Sequence, residues 1–426
     1  MKIRDRLEAC LAKIADPAGE GKRAFTKLYT EQARAVADAQ DRMRAAGAPI
    51  GPLGGRIVSI KDLFDVAGEP TTAGSIALRD APLATKDAPA IARLRAAGAV
   101  IVGKTNMTEF AYSGIGMNPH YGTPGNPFDR ARIPGGSTSG GAVAVADGMS
   151  EITIGSDTGG STRIPAAFCG IVGLKPSQPR IPLNGAVPLS STLDSIGPMA
   201  RSVADCALAD AIMAGETPEA IEPAALPRLR LGLLKTMVLD GLDETVAKAF
   251  ECALKVLAPA RLADFTTDLF APMTQLNANG GFSAAESYAW HRPLLDKRGK
   301  DYDPRVRGRI ERGAAISAAD YIGMTQERER LARAMDAALA DIDALVLPTT
   351  PVVAPRIDAL DGDNFMRINL QVLRNTAPAN FFNLCAVSLP IPTDGLAVGL
   401  MLVGRHGSDK RLLRIAATVE SALAGT

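Results

Sequence analysis

Apolar positions change their period several times along this chain. In MKIRDRLEACLAKIADP, Ile3, Leu7, Leu11 and Ile14 fall on one face at helical spacing, with charges between them. From Gly51 the pattern alternates: a strand over 56–60 runs into Lys61, Gly98 stops a helix over 88–97, and a strand follows at 99–102. A helix over about 140–147 precedes the apolar run at 152–154, after which Pro165 and the 170–173 stretch turn the chain. Prolines and charges in AGETPEAIEPAALPRLR mark a connector at about 214–230. Beyond a strand at 231–234, residues 244–347 read as mainly helical, most clearly at 326–341, where Leu331, Met335, Ala338 and Leu339 form a core stripe. Strands at 345–347 and 395–403 and a closing helix at 410–423 complete the pattern. Strands interleaved with helices predict an α/β sandwich around a largely buried sheet. The last strands are too few for a second core, so residues 1–426 are expected to form one domain.

Composition narrows the setting. With 426 residues, 46% of them apolar, the chain can bury a large core. Lysine and arginine total 47 against 46 acidic residues, a formal charge of +1, which gives no general attraction to nucleic acid or an anionic membrane. Charges run through the first segment where a signal peptide needs an apolar centre, and no apolar run is long enough to span a bilayer. Five scattered cysteines without C-x-x-C spacing suit a reducing compartment, so a cytoplasmic protein is expected.

The chemistry concentrates between Gly135 and Ser161, GGSTSGGAVAVADGMSEITIGSDTGGS, where an apolar segment separates two glycine-flanked serines, Ser137 and Ser161. In Thr158-Gly159-Gly160-Ser161 small residues can aim successive backbone N–H groups at one point, as in an anion nest or an oxyanion hole. Neither loop carries the lysine of a phosphate-binding P-loop. A nucleophilic serine needs a base. The three histidines, His120, His291 and His406, have no clear sequence relation to Ser161, although triad members need not be sequence neighbours. Lys61, at a strand end among apolar residues, is the alternative. Neutralising an unshifted lysine at pH 7 costs about 4.6 kcal/mol, and burial can remove much of that cost. Cys169, in AAFCGIVG, reads as a packed small hydrophobe. No metal-ligand cluster stands out, and no cofactor is expected.

Lys61 in SIKDLFDVAG, Ser137 in GGSTSGG and Ser161 in GSDTGGSTRIPAAFCGIVGLKPS together resemble the amidase signature family. The likeness is dense over about 50–205 and thinner through LVLPTTP and GLAVGLMLVGR. It implies a central mixed β-sheet covered by helices on both faces. It also implies hydrolysis of a small-molecule carboxamide to a carboxylate plus ammonia or an amine, through an acyl-serine intermediate. By the same resemblance, Ser161 is the nucleophile, Ser137 the bridging serine, joined to Gly136 by a cis peptide, and Lys61 the neutral base. The backbone N–H groups of Thr158, Gly159, Gly160 and Ser161 would form the oxyanion hole, Asp157 and Arg163 would brace the loop, and the main chain at Ala111 and Tyr112 would receive the amide nitrogen.

Relatives further suggest a homodimer and pocket walls between 273 and 383, drawn largely from the helical region 244–347. Trp290, Phe365, Met366, Phe381 and Phe382 are the apolar candidates there, favouring an apolar or aromatic acyl group. Malonamide-specific relatives place an arginine at the position of Ile164 to hold a carboxylate, so a free carboxylate on the substrate is not expected. The glutaminase subunits of tRNA-dependent amidotransferases place glutamine there. That class, which needs partner subunits and uses glutamine as ammonia donor, is the second reading. A third is a non-catalytic protein whose glycine loops bind an anion.

Overall fold

The computed structural model describes residues 1–425. Its frame is one eleven-stranded mixed sheet. The strands are β1 (Phe25–Leu28), β2 (Ile57–Lys61), β3 (Val100–Thr105), β4 (Ile152–Asp157), β5 (Val172–Lys175), β6 (Ser195–Ala200), β7 (Arg230–Leu234), β8 (Arg261–Phe265), β9 (Ala344–Pro348), β10 (Cys385–Ile391) and β11 (Val398–Gly404). They lie in the order β1-β3-β2-β4-β6-β5-β10-β11-β9-β7-β8. Parallel pairs β2–β3, β2–β4, β7–β8 and β7–β9 occupy the flanks, and antiparallel β4–β6, β5–β6, β5–β10, β10–β11 and β9–β11 form the middle.

Helices flank this sheet, and the apolar side chains of single strands divide between separate clusters as the strand period requires. Val58 and Ile60 of β2 enter the largest cluster, while Ile57 packs with helix Ser139–Ala146. The amino-terminal helix Ile3–Ala15 buries Ile3, Leu7, Leu11 and Ile14, the face its spacing predicts. Helix Ala318–Ala338 begins earlier than expected, at a capping box closed by Ser317 and Asp320, and buries Leu331 and Met335.

The stretch at 214–230 leads out of helix Val203–Ala214 into β7, which joins the same sheet through β9 and β11. Within 244–347, read as mainly helical, β8 is an unforeseen edge strand pairing only with β7. Four more strands, β1, β5, β6 and β10, escaped the sequence pattern, β5 lying where 170–173 was expected to turn the chain. Among the described residues no helix is long and apolar enough to cross a membrane.

Leu400 stands fully buried in β11, opposite Leu389 of β10 and Pro348 of β9, where the two flanks of the sheet are joined. Leu400→Ala is expected to cost about 2–5 kcal/mol in chemical denaturation. A loss below about 0.5 kcal/mol would contradict a closely packed centre there.

Candidate active site

Parallel pairing of β2 with β4 sets Ile60 opposite Ile154, so the two strands deliver Lys61 and the Ser156–Asp157 pair to the same end of the sheet. Helix Ser139–Ala146 starts just after Ser137 and packs on β2 and β4, which carries the first serine loop to that end as well. The Gly136–Ser137 peptide is cis. A Cβ on Gly136 would lie 2.6 Å from the Gly116 nitrogen, so only glycine fits there. Lys61 Nζ lies 2.7 Å from Ser137 Oγ and 2.9 Å from Ser156 Oγ, with no exposure to solvent. Burial pushes its pKa down from 10.5 to about 7, although Asp157 and Asp194 pull the other way.

Ser161 joins this cluster through the Thr138 N–H, which donates to its carbonyl at 3.4 Å. Its side chain is 4% exposed and borders a cavity. Among the described residues its hydroxyl has no hydrogen-bond partner.

The loop that presents Ser161 is tied from below by Asp157. That carboxylate accepts from Gly160 N–H at 2.8 Å, from the N–H and hydroxyl of Thr162 at 3.1 and 2.9 Å, and from Arg163 Nη2 at 2.9 Å. Burial alone would raise its pKa, but the Arg163 guanidinium outweighs that and holds it well below the usual carboxylate range. Arg163 is completely buried, and it also donates to Thr376 O at 2.8 Å and Asn380 Oδ1 at 2.7 Å. From outside, Thr376 Oγ1 donates to Gly159 O at 2.6 Å. Gly160, at φ 140°, leaves no room for a side chain, because a Cβ would lie 2.3 Å from Thr376 Oγ1. Its N–H is turned to Asp157 and away from the cavity, which corrects its place among the four expected oxyanion donors.

A cavity of about 500 Å³ opens on Ser161, Thr158, Gly159, Ala111 and Tyr112. Phe110 and Ala111 take positive φ values of 51° and 60°, so the chain turns sharply at this wall. The Tyr112 carbonyl accepts a hydrogen bond from Arg309. Of the expected apolar walls, Met366 and Phe381 line the cavity, Phe365 and Phe382 are buried in hydrophobic clusters, and Trp290 borders a separate depression beside Tyr321. The walls are not wholly apolar as expected: Arg309, Arg312 and Arg374 line them too.

No histidine borders this cavity. His291 is buried against Phe110 and Tyr302, and burial pushes its pKa down to about 3. His120 sits 2.7 Å from Glu109 and His406 lies beside the Asn383 carbonyl. Cys169 points its thiol at the Pro134 carbonyl, inside the protein. Ser156, Thr376, Asn380 and the three arginines escaped the sequence reading. Ser156 alone had a signal, its place between Gly155 and Asp157 in the second serine loop.

The geometry brings two serines and a buried lysine together beside one cavity, and comparison with known proteins places the chain in a family. The amidase family profile matches residues 5–413, and the chain belongs to that family. It is 36% identical to a 2-amino-5-chloromuconic acid deaminase of Comamonas testosteroni, over 92% of this chain and 86% of that one. It is 37% identical to a glutamyl-tRNA(Gln) amidotransferase subunit of Chloroflexus aggregans, over 96% and 90% of the two chains. A crystal structure of an amidase superimposes with a TM-score of 0.88 at 34% identity, covering 99% of this chain and 96% of that one. The protein is thus a hydrolase of amide C–N bonds, which sets aside the purely ligand-binding reading.

Removing Arg163 would leave Asp157 as an uncompensated charge under the loop. Arg163→Met is expected to destabilise the fold by about 3–5 kcal/mol in chemical denaturation. A loss below about 1 kcal/mol would show that the pair does not brace the loop.

Proposed function

We propose that the protein hydrolyses a small-molecule carboxamide to a carboxylate plus ammonia or an amine by way of an acyl-serine at Ser161. The observation that carries this reading is the buried Lys61 amine 2.7 Å from Ser137 Oγ, with a pKa near neutrality. At pH 7 about half of such amines are unprotonated, where an ordinary lysine offers roughly four in ten thousand.

In the proposed cycle Ser161 Oγ attacks the amide carbon as its proton passes to Ser137 Oγ, whose own proton moves to Lys61 Nζ. The carbonyl oxygen gains the negative charge, met by backbone N–H groups of Thr158, Gly159 and Ser161. The proton on Lys61 returns through Ser137 to the leaving nitrogen as the C–N bond breaks. Water then enters by the same relay, and its attack on the acyl carbon frees Ser161. Asp157 and Arg163 act only by holding the loop, and Ser156 by orienting the amine. The main chain at Ala111 and Tyr112 faces the amide nitrogen, and Met273, Leu373 and Phe381 offer an apolar wall to the acyl chain. Residues 1–426 act as one domain in this reading, in keeping with the single sheet.

A second reading, the glutaminase subunit of a tRNA-dependent amidotransferase, is favoured by the likeness to the Chloroflexus aggregans protein. It requires partner subunits, and it is separated by comparing glutamine with simple amides as substrates of the isolated chain. Turnover of simple amides with glutamine inert favours the first reading, and the converse favours the second.

The base must be neutral to accept a proton, so kcat/KM is expected to rise with pH and level off through an apparent pKa near 7. Lys61→Met should lower kcat by at least about a thousandfold, and Ser161→Ala should abolish labelling by a serine-directed phosphonate. Labelling that persists in Ser161→Ala, or a rate flat from acid to alkaline pH in the wild type, would overturn the mechanism.

A further inference from the structure

Three guanidinium groups, those of Arg309, Arg312 and Arg374, border the cavity that holds Ser161, and no aspartate or glutamate does. Arginines near Arg309 and Arg312 in sequence are paired: Arg305 with Asp303 at 2.7 Å, Arg307 with Glu311 at 2.7 Å, and Arg298 with Asp301. Among the described residues none of the three cavity arginines has an ion pair. The segment that carries Arg309 and Arg312 thus pairs its neighbouring arginines and leaves these two, with Arg374, without an ion pair beside the nucleophile.

Two of them are fixed in place by neutral groups. Arg309 donates to the Tyr112 carbonyl and lies over the Tyr112 ring, 4.3 Å from its centroid. Arg374 donates to Asp240 O at 2.7 Å and to Asn375 Oδ1 at 3.3 Å. Burial pushes the pKa of both down by withdrawing water from each cation, and the Asp240 charge offsets only part of that for Arg374. The Arg312 side chain, just beyond helix Pro304–Glu311, has no hydrogen-bond partner among the described residues, and its charge acts against that of Arg309. An anion placed between them would relieve the repulsion and accept paired N–H donors, for which the planar guanidinium suits a carboxylate.

Resting on the hydrolase reading above, we infer that the substrate is an amide carrying a carboxylate of its own, gripped by Arg312 in a field completed by Arg309 and Arg374. For a primary amide, which releases ammonia, that carboxylate sits on the acyl part. The absence of an acid from the cavity lining means nothing there answers a cationic ammonium. Amide acids lacking an amino group should therefore surpass amino-acid amides. The residue at the Ile164 position need not supply the grip, since Ile164 is wholly buried among apolar side chains while the cations come from elsewhere.

The test measures kcat/KM for succinamic, glutaramic and adipamic acids, each beside the neutral alkanamide of equal length, and for glutamine, which is glutaramic acid with an added ammonium. At least one acid is expected to exceed its neutral partner by about tenfold or more, and glutaramic acid to exceed glutamine. Arg312→Gln should cut the acid-over-neutral ratio by about tenfold, through KM and not kcat, with Arg312→Lys keeping more of the preference. Arg312 is exposed, so these variants should fold. Preference for the neutral amides, or an unchanged ratio in Arg312→Gln, overturns the inference and leaves the hydrolase reading standing. Hydrolysis of neither class overturns both.

Discussion

Withdrawing one lysine amine from water is the constraint on which the site depends. In bulk solvent the ammonium at residue 61 would hold its proton through the whole neutral range, and neither serine could pass a proton to it. At the end of β2, enclosed by the Ser137 and Ser156 loops, that amine has lost its hydration and gained only uncharged neighbours within hydrogen-bond reach, two hydroxyls and the Ser156 carbonyl. Burial is the larger influence on its pKa, and the two carboxylates nearby reduce the effect without reversing it.

The positions of those carboxylates matter because a close, free anion would restore the charged lysine. Asp157 is bound to Arg163 at 2.9 Å, and its charge still favours the protonated lysine, but less than burial disfavours it. Asp194 accepts hydrogen bonds from Thr158, Leu189 and Ser190, and burial raises its pKa to about 6. The Asp157–Arg163 pair ties down the loop that holds Ser161 and keeps the Asp157 carboxylate occupied by other partners. Asn380 and Thr376 extend the tie to the chain just before β10, so the far end of the sequence helps fix a site whose proposed reactive groups all come from its first half.

The three side chains proposed to react were legible as candidates because their signals are local: glycine on both sides of two serines, and a lysine ending an apolar strand. What supports them was illegible because it is assembled across the fold. Asn380 and Thr376 occupy an ordinary Thr-Ala-Pro-Ala-Asn stretch and gain their roles only by meeting Arg163 and Gly159. Arg309 and Arg312 share a segment, RVRGRIERG, with arginines that are merely surface-paired, and spacing does not separate the two kinds. Strand β6, SIGPMA, carries a glycine and a proline, residues depleted from strands, yet it sits between β4 and β5 and is wholly buried, so tertiary pairing overrode propensity. Strand β8 is largely exposed and has no alternating pattern to read. Gly160 also shows the limit of motif reading, since only the folded loop reveals that its N–H turns inward.

The most direct measurement is the titration of Lys61 itself, followed by heteronuclear NMR of isotopically labelled lysine in the resting enzyme, with Lys61→Met assigning the resonance. A midpoint near 7 is expected. A midpoint at or above the ordinary lysine value of about 10.4 would contradict a neutral amine as the base.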